Sequence, residues 1–313
     1  MKKIIWTCDT EIGELGHLLD NAYDVLVFGK VQGREAGIGY MNRIARQFGA
    51  SITHFVDVYQ AKYQNNIINA CESILSNGHK LALHTHPRSM YGKRYMCEYS
   101  LPEQQKIIEY GQSFFKSYVN VEIGCHRAGG YGADVNTMKA LQEAGIYKDS
   151  SYYYSTPACM LPFDNINSVF WHGKVLEIPV TVYNISMNFL GYNLFKKHRV
   201  QKLDFRYGSS VGEILTVIDR MEKDSVIILF LHSFNFLDLK YSAKKHKFIS
   251  ISVNDKLMHD YQVLLNEISN RSDCCWGILD DIHEEYPGSE IDINRPINIA
   301  KSLKRRFSNY IYV

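Results

Sequence analysis

Three short segments carry side chains that can hold a metal ion and move a proton: Asp9-Thr10-Glu11, His84-Thr85-His86, and His232. Along an extended chain alternate residues face the same way, so Asp9 and Glu11 share one side, and His84 and His86 share another. Two carboxylates and two imidazoles facing a common cleft suit Zn²⁺ or a similar divalent ion that keeps one position open. Such an ion lowers the pKa of water toward ~7 and polarises a carbonyl, the two requirements of amide or ester hydrolysis. Something must also take the proton, so not every member of the set is a ligand. Each residue has a plainer reading when taken singly. An Asp at a strand end is commonly a cap or turn former, and a lone His232 a satisfied core histidine. The H-x-H pair seldom serves packing, and the grouping of all three segments at strand ends favours a site.

Each segment closes an apolar run of strand length: Ile4-Ile5-Trp6-Thr7-Cys8, Leu81-Ala82-Leu83 and Ile227-Ile228-Leu229-Phe230-Leu231. Further strands are expected at residues 24–28, 52–58, 119–123 and 175–182, several of them rich in Val and Ile. Between them apolar residues recur at three- and four-residue steps, as in Ile38, Met41, Ile44, Ala45 and Phe48, or Ile67, Cys71 and Ile74. Ser100 with Glu103 reads as a capping box opening another helix, and Asp134 as the cap of a fourth. Two more helices are expected over residues 211–221 and 257–268. Strands alternating with helices predict an α/β fold with a parallel sheet, and in a parallel (β/α) barrel the strands present their carboxyl ends on one face. The three segments would then converge. One domain is expected over residues 1–290, with residues 291–313 a C-terminal tail, strand-like or loosely ordered.

The hydrophobic fraction of 46% and charged fraction of 22% are those of a globular chain with a sizeable core. A formal charge of +2 offers no field for nucleic acid. The basic runs Lys196-Lys197-His198-Arg199 and Lys301, Lys304, Arg305, Arg306 read as solvated surface, with a phosphate on the substrate as the alternative. The apolar run after Lys2 and Lys3 is too short for a signal peptide, and no stretch is long enough to be transmembrane. Seven cysteines without a C-x-x-C pair argue for a reducing compartment, so the expected location is cytoplasmic. Cys8 reads as a small buried side chain rather than a nucleophile, and the adjacent Cys274-Cys275 cannot form a two-residue-spaced metal knuckle. Tyr152, Tyr153 and Tyr154 either stack on a sugar ring or pack.

The motifs resemble those of the polysaccharide deacetylases, the NodB-homology or carbohydrate esterase 4 group, across most of the chain. Thr7-Cys8-Asp9-Thr10-Glu11 is similar to the first family motif, which implies Asp9 as general base and Glu11 as metal ligand. His84 and His86, followed by Pro87, correspond to the two metal-binding histidines. Arg127-Ala128-Gly129-Gly130-Tyr131-Gly132 resembles the arginine-led third motif, implying that Arg127 orients the base and that backbone N–H groups near Tyr131 stabilise an oxyanion. Leu231-His232 matches the last motif, with His232 implied as the acid that protonates the departing amine. Asp149-Ser150-Ser151 and Glu177-Ile178-Pro179 fall where the family has substrate-groove segments, so Tyr131, Asp149 and Ser150 are expected to bind substrate. The chain departs from the family at three points, one of them the lack of the common proline in the third motif. One residue rather than three separates the histidines, with Arg88 at the usual second position, and Thr10 splits the acidic pair. The resemblance implies a distorted barrel of NodB-homology type and removal of an N-acyl group, most simply acetyl, from an amino sugar. The sugar would be a polysaccharide precursor, nucleotide- or lipid-linked. The metal would be Zn²⁺, with Co²⁺, Ni²⁺, Fe²⁺ or Mn²⁺ served by the same donors. Two other readings stay open: hydrolysis of another C–N bond, in a formyl group or cyclic amide, and a catalytically silent sugar-binding scaffold.

Overall fold

A computed structural model describes residues 1–186, 188–189, 192–193, 199–206 and 208–294. The basic residues Lys196, Lys197, His198, Lys301, Lys304, Arg305 and Arg306 lie outside the described residues. So does most of the expected tail, although Asp292–Asn294 forms a short strand.

Nine strands make the main sheet: β1 (Lys2–Thr10), β2 (Ile52–Asp57), β3 (Lys80–Thr85), β4 (Cys125–Ala128), β5 (Lys148–Asp149), β6 (Phe170–His172), β7 (Val175–Glu177), β8 (Val226–His232) and β9 (Cys274–Gly277). Their order is β8-β1-β2-β3-β4-β5-β7-β6, and β9 lies beside the first half of β1. Every pairing is parallel except that of β6 with β7. The sheet curls into a barrel, and between β7 and β8 the regular ladder fails. There the Thr181 hydroxyl accepts from Ile228 N, and Phe230 exchanges backbone bonds with Leu203 and Phe205. This gap is the distortion of the barrel.

The helices α1 (Ile38–Gln47), α2 (Gln64–Ser76), α3 (Leu101–Phe114), α4 (Val135–Glu143), α5 (Val211–Arg220) and α6 (Asp255–Ser269) are amphipathic. Strand alternation divides the interior into two cores. Ile4, Trp6, Cys8, Ile52, Val56, Leu83 and Leu229 pack with helical residues such as Met41, Ile74 and Leu264. Ile5, Phe55, Ala82, Cys125, Leu176 and Ile228 fill the barrel. Asp9 and Glu11 continue the parity of Ile5, and His84 that of Ala82, so these residues cap the barrel interior.

Three expected strands are corrected. Tyr23–Val27 is a wide helical turn, with Val25, Leu26 and Val27 all buried. A short apolar run has no period that separates the two states. The alternation of Val119, Val121 and Ile123 is not a strand: the chain leaves α3 through a helical turn that ends at Asn120 in the left-handed region (φ 56°), and β4 begins only at Cys125. The run from Val175 to Val182 breaks after Glu177 and resumes at Val182 in a different sheet, with Pro179, which lacks an N–H for a ladder, between the two. Not anticipated were β9 and the hairpin Leu237–Ser242 with Lys247–Val253.

Candidate metal centre

The tips of β1, β3, β4 and β8 meet at the carboxyl end of the barrel. One nitrogen from each of His84 and His86 and one oxygen of Glu11 lie within 4.8 Å of one another. His84 Nε2 stands 3.5 Å from Asp9 Oδ2 and 3.6 Å from Glu11 Oε2, and His86 Nε2 is 2.7 Å from Glu11 Oε2. Tetrahedral zinc with bonds of about 2.0–2.1 Å sets its ligand atoms about 3.3–3.4 Å apart. The His84–Glu11 spacing is close to that value, and the shorter His86–Glu11 contact is an ion pair. The other nitrogen of His84, Nδ1, donates to the Arg127 carbonyl at 2.9 Å, which leaves the Nε2 lone pair aimed at Glu11. These residues fit a divalent cation.

Charge and burial act together here. Burial would raise the Glu11 carboxyl, yet His86 and His84 outweigh it and hold the group well below its usual range. Burial would lower His86, but Glu11 beside it pushes the imidazole up to about 9. Asp9 is likewise held low against burial, by His84 and Arg127. Arg127 is fully buried. It donates to Asp9 Oδ1 at 2.8 Å, Thr7 Oγ1 at 3.2 Å, Ser150 O at 3.1 Å and Ser150 Oγ at 3.0 Å, with its guanidinium 4.0 Å from the Phe55 ring centroid. Only one Asp9 oxygen therefore stays directed at His84.

His232 Nε2 is 3.8 Å from Glu11 Oε1, and its ring stacks on Phe234 with centroids 4.9 Å apart. Its buried Nδ1 has no hydrogen-bond partner among the described residues. Burial depresses this imidazole, with Lys202 adding to the effect and Glu11 opposing it. Tyr131 sits at φ 62°, ring buried, its hydroxyl accepting from Lys202 Nζ at 3.0 Å. Asp149 and Ser150 are also buried and are committed to protein partners, Asp149 to His126 at 2.7 Å and Ser150 to Arg127. The structure thus places these two behind Arg127. Tyr152 packs against Phe163 and Phe170, while Tyr153 reaches Tyr131 at 5.1 Å between ring centroids. Cys8 is buried with its thiol pushed far up by burial, the condition of an inert side chain.

A cleft of about 410 Å³ opens beside the cluster, lined by Glu11, Gly13, Glu14, Gln60, His86 and Arg88 among others. Arg88, at the start of a short helical turn after Pro87, forms its wall. Gly129 explains the glycine after Arg127-Ala128: an added Cβ would lie 2.6 Å from His86 Cε1, so only glycine leaves room for that ring. Sequence reasoning missed Lys202, half-buried with Nζ 3.5 Å from the Phe230 ring centroid, and Ser233, whose hydroxyl donates to Glu11 O at 2.9 Å. Ser233 follows His232 directly, which is the only local signal either residue offered.

No helix among the described residues is long and apolar enough to cross a membrane. No family model and no curated protein matches the chain. Solved structures do. A polysaccharide deacetylase candidate from Mycobacterium smegmatis is 16% identical with a TM-score of 0.54, over 87% of this chain and 85% of that one. A family 4 carbohydrate esterase from Streptomyces lividans, in complex with acetate, is 12% identical with a TM-score of 0.43, over 93% and 98%. A family 4 acetyl xylan esterase from Clostridium thermocellum, in complex with a cobalt ion, is 9% identical with a TM-score of 0.42, over 90% and 89%. The Mycobacterium structure shares the architecture at the level of the whole fold. The likeness carried by the strand-end motifs therefore extends to the tertiary structure, and the chain has the distorted barrel fold of the polysaccharide deacetylases, in a divergent form.

Proposed function

We propose that the chain is a metal-dependent hydrolase that removes an N-acyl group, in the first instance acetyl, from an amino sugar, and that one barrel domain of residues 1–290 does so. The observation that carries the reading is the meeting of Glu11, His84 and His86 within 4.8 Å, next to the buried Asp9–Arg127 pair. A divalent ion held by these three side chains would polarise the acyl carbonyl and make water acidic enough to lose a proton near neutrality. Asp9 accepts that proton. Arg127 holds one Asp9 oxygen at 2.8 Å and so fixes the direction from which the other can take it. His232, its ring stacked on Phe234, delivers a proton to the departing nitrogen. Glu11 and His86, 2.7 Å apart, would hold the ion in their deprotonated forms, so its binding would compete with protons. The cleft of about 410 Å³ beside Glu11 has the size of a small-ligand pocket, and the sugar of a nucleotide- or lipid-linked precursor is the substrate we expect there.

The test is acetate or formate release from a panel of N-acylated amino sugars, with chelator-stripped protein reloaded with Zn²⁺, Co²⁺, Ni²⁺, Fe²⁺ or Mn²⁺. Release that requires reloading, together with metal lost on Glu11→Ala or His84→Ala, supports the reading. Metal content that is unchanged in both variants, with sugar bound but no acid released, leaves a binding scaffold instead.

A further inference from the structure

On the helix-covered face of the sheet, just beneath the strand tips, two chains of side chains repeat one another. Thr10 stands between Asp9 and Glu11; its Oγ1 lies 2.8 Å from His54 Nδ1, and His54 Nε2 lies 2.8 Å from Asn42 Oδ1. Thr85 stands between His84 and His86; its Oγ1 lies 3.0 Å from His126 Nε2, and His126 Nδ1 lies 2.7 Å from Asp149 Oδ1. All six side chains are buried. Each imidazole comes from the next strand in the sheet and sits at the same register. His54 pairs with Cys8, two residues before Thr10, and His126 pairs with Leu83, two residues before Thr85. The oxygens of Asn42 and Asp149 only accept, so each imidazole donates to them with one nitrogen and turns the other to the threonine hydroxyl; the Thr10 hydroxyl also donates to Cys8 Sγ at 3.7 Å.

Thr10 and Thr85 are also the last residues of their ladders, paired with Val56 and Ala128. Glu11 and His86 each stand one residue past the final pairing. Whether residues on either side of a threonine face the same way depends on the pleat at that threonine, and at a ladder's end few backbone bonds enforce it. We infer that Thr10–His54–Asn42 and Thr85–His126–Asp149 are twin positioning relays that lock the last pleat of β1 and β3, so that Glu11 and His86 are held at cation-binding distance. The inference rests on the metal reading above. It also explains why the ligands can follow one another with a single residue between them, and why that residue is threonine in both segments.

The test is titration of chelator-stripped protein with Co²⁺, followed by visible absorption, for the near-isosteric Thr10→Val and Thr85→Val variants. Thr53→Val is the control, since Thr53 is buried in β2 with a hydroxyl that has no hydrogen-bond partner among the described residues. We expect the two relay variants to bind Co²⁺ about 10–100-fold more weakly, with altered absorption bands. Thr53→Val should match the unsubstituted protein, and Thr10→Ser and Thr85→Ser should restore both affinity and spectrum. Relay variants that bind as Thr53→Val does overturn the inference. Should Thr10→Val not fold, Asn42→Leu decides the first relay, weakening Co²⁺ binding if the relay operates and leaving it unchanged if not. Absence of cobalt absorption in the unsubstituted protein is a different failure: it removes the metal centre, and the relays with it.

Discussion

The two ends of β1 carry the same kind of interaction in opposite surroundings. At the carboxyl end Asp9 meets Arg127 at 2.8 Å, with side-chain exposures of 6% and 0%. At the amino end Lys2 meets Asp273 at 3.3 Å, and Asp273 meets Arg271 at 3.1 Å, with exposures of 9% for the lysine, 48% for the aspartate and 25% for the arginine, so there the carboxylate faces solvent. Solvent makes the difference. Removing one partner of a buried pair strands a charge in the interior, at a cost of about 3–5 kcal/mol. An exposed pair is worth roughly 0–1 kcal/mol, because water already serves both charges. The amino end thus helps fasten β9 to β1, while the carboxyl end holds a carboxylate in one orientation. This division agrees with the rule that barrels do chemistry at the carboxyl ends of their strands.

The largest expected effect breaks the buried member of the comparison. Arg127→Met should lower unfolding stability by about 3–5 kcal/mol in urea denaturation and abolish acyl release; a loss below about 1 kcal/mol would mean that the interior tolerates a lone Asp9 charge. Asp9→Asn removes the base and keeps most of the shape, so kcat should fall roughly 10²–10⁴-fold in the acyl-release assay while the protein still binds cation. His232→Gln should lower kcat by roughly 10²-fold or more with metal content unchanged, and parallel loss of metal would assign His232 to the ligand set instead.

The smallest effect sharpens the exposed member. Arg271 holds Asp273 at about 2, below its ordinary 3.8. A depressed carboxylate contributes stability that is complete above the unfolded value and is lost as pH falls from 3.8 through about 2. Asp273→Asn should therefore cost under about 1 kcal/mol at neutral pH, and the difference from the unsubstituted protein should vanish near that lower value. Urea denaturation at both pH values checks it.

Much of the site was legible because each reactive segment follows an apolar run that ends abruptly in charged or imidazole side chains. Asn42, His54 and His126 were not. His54 lies inside Ile52-Thr53-His54-Phe55-Val56, where an imidazole on the helix-facing side reads as an interruption of a strand. Asn42 reads as an ordinary polar position of α1, and only the packing of α1 on β2 makes it a partner. Lys202 came from a region with no motif. Residues 24–28 and 119–123 were misread for a related reason: five apolar or alternating residues do not show which hydrogen bonds their backbone will make.

The sequence by itself determined which side chains stand two apart at each strand end, and hence that Asp9 with Glu11, and His84 with His86, would face together, because alternation is a property of a single extended chain. The tertiary structure alone decided that the two pairs would meet. Between Glu11 and His84 lie two helices and β2, and the 3.6 Å that separates them follows from inter-strand register and barrel curvature, which are set by how the whole sheet packs.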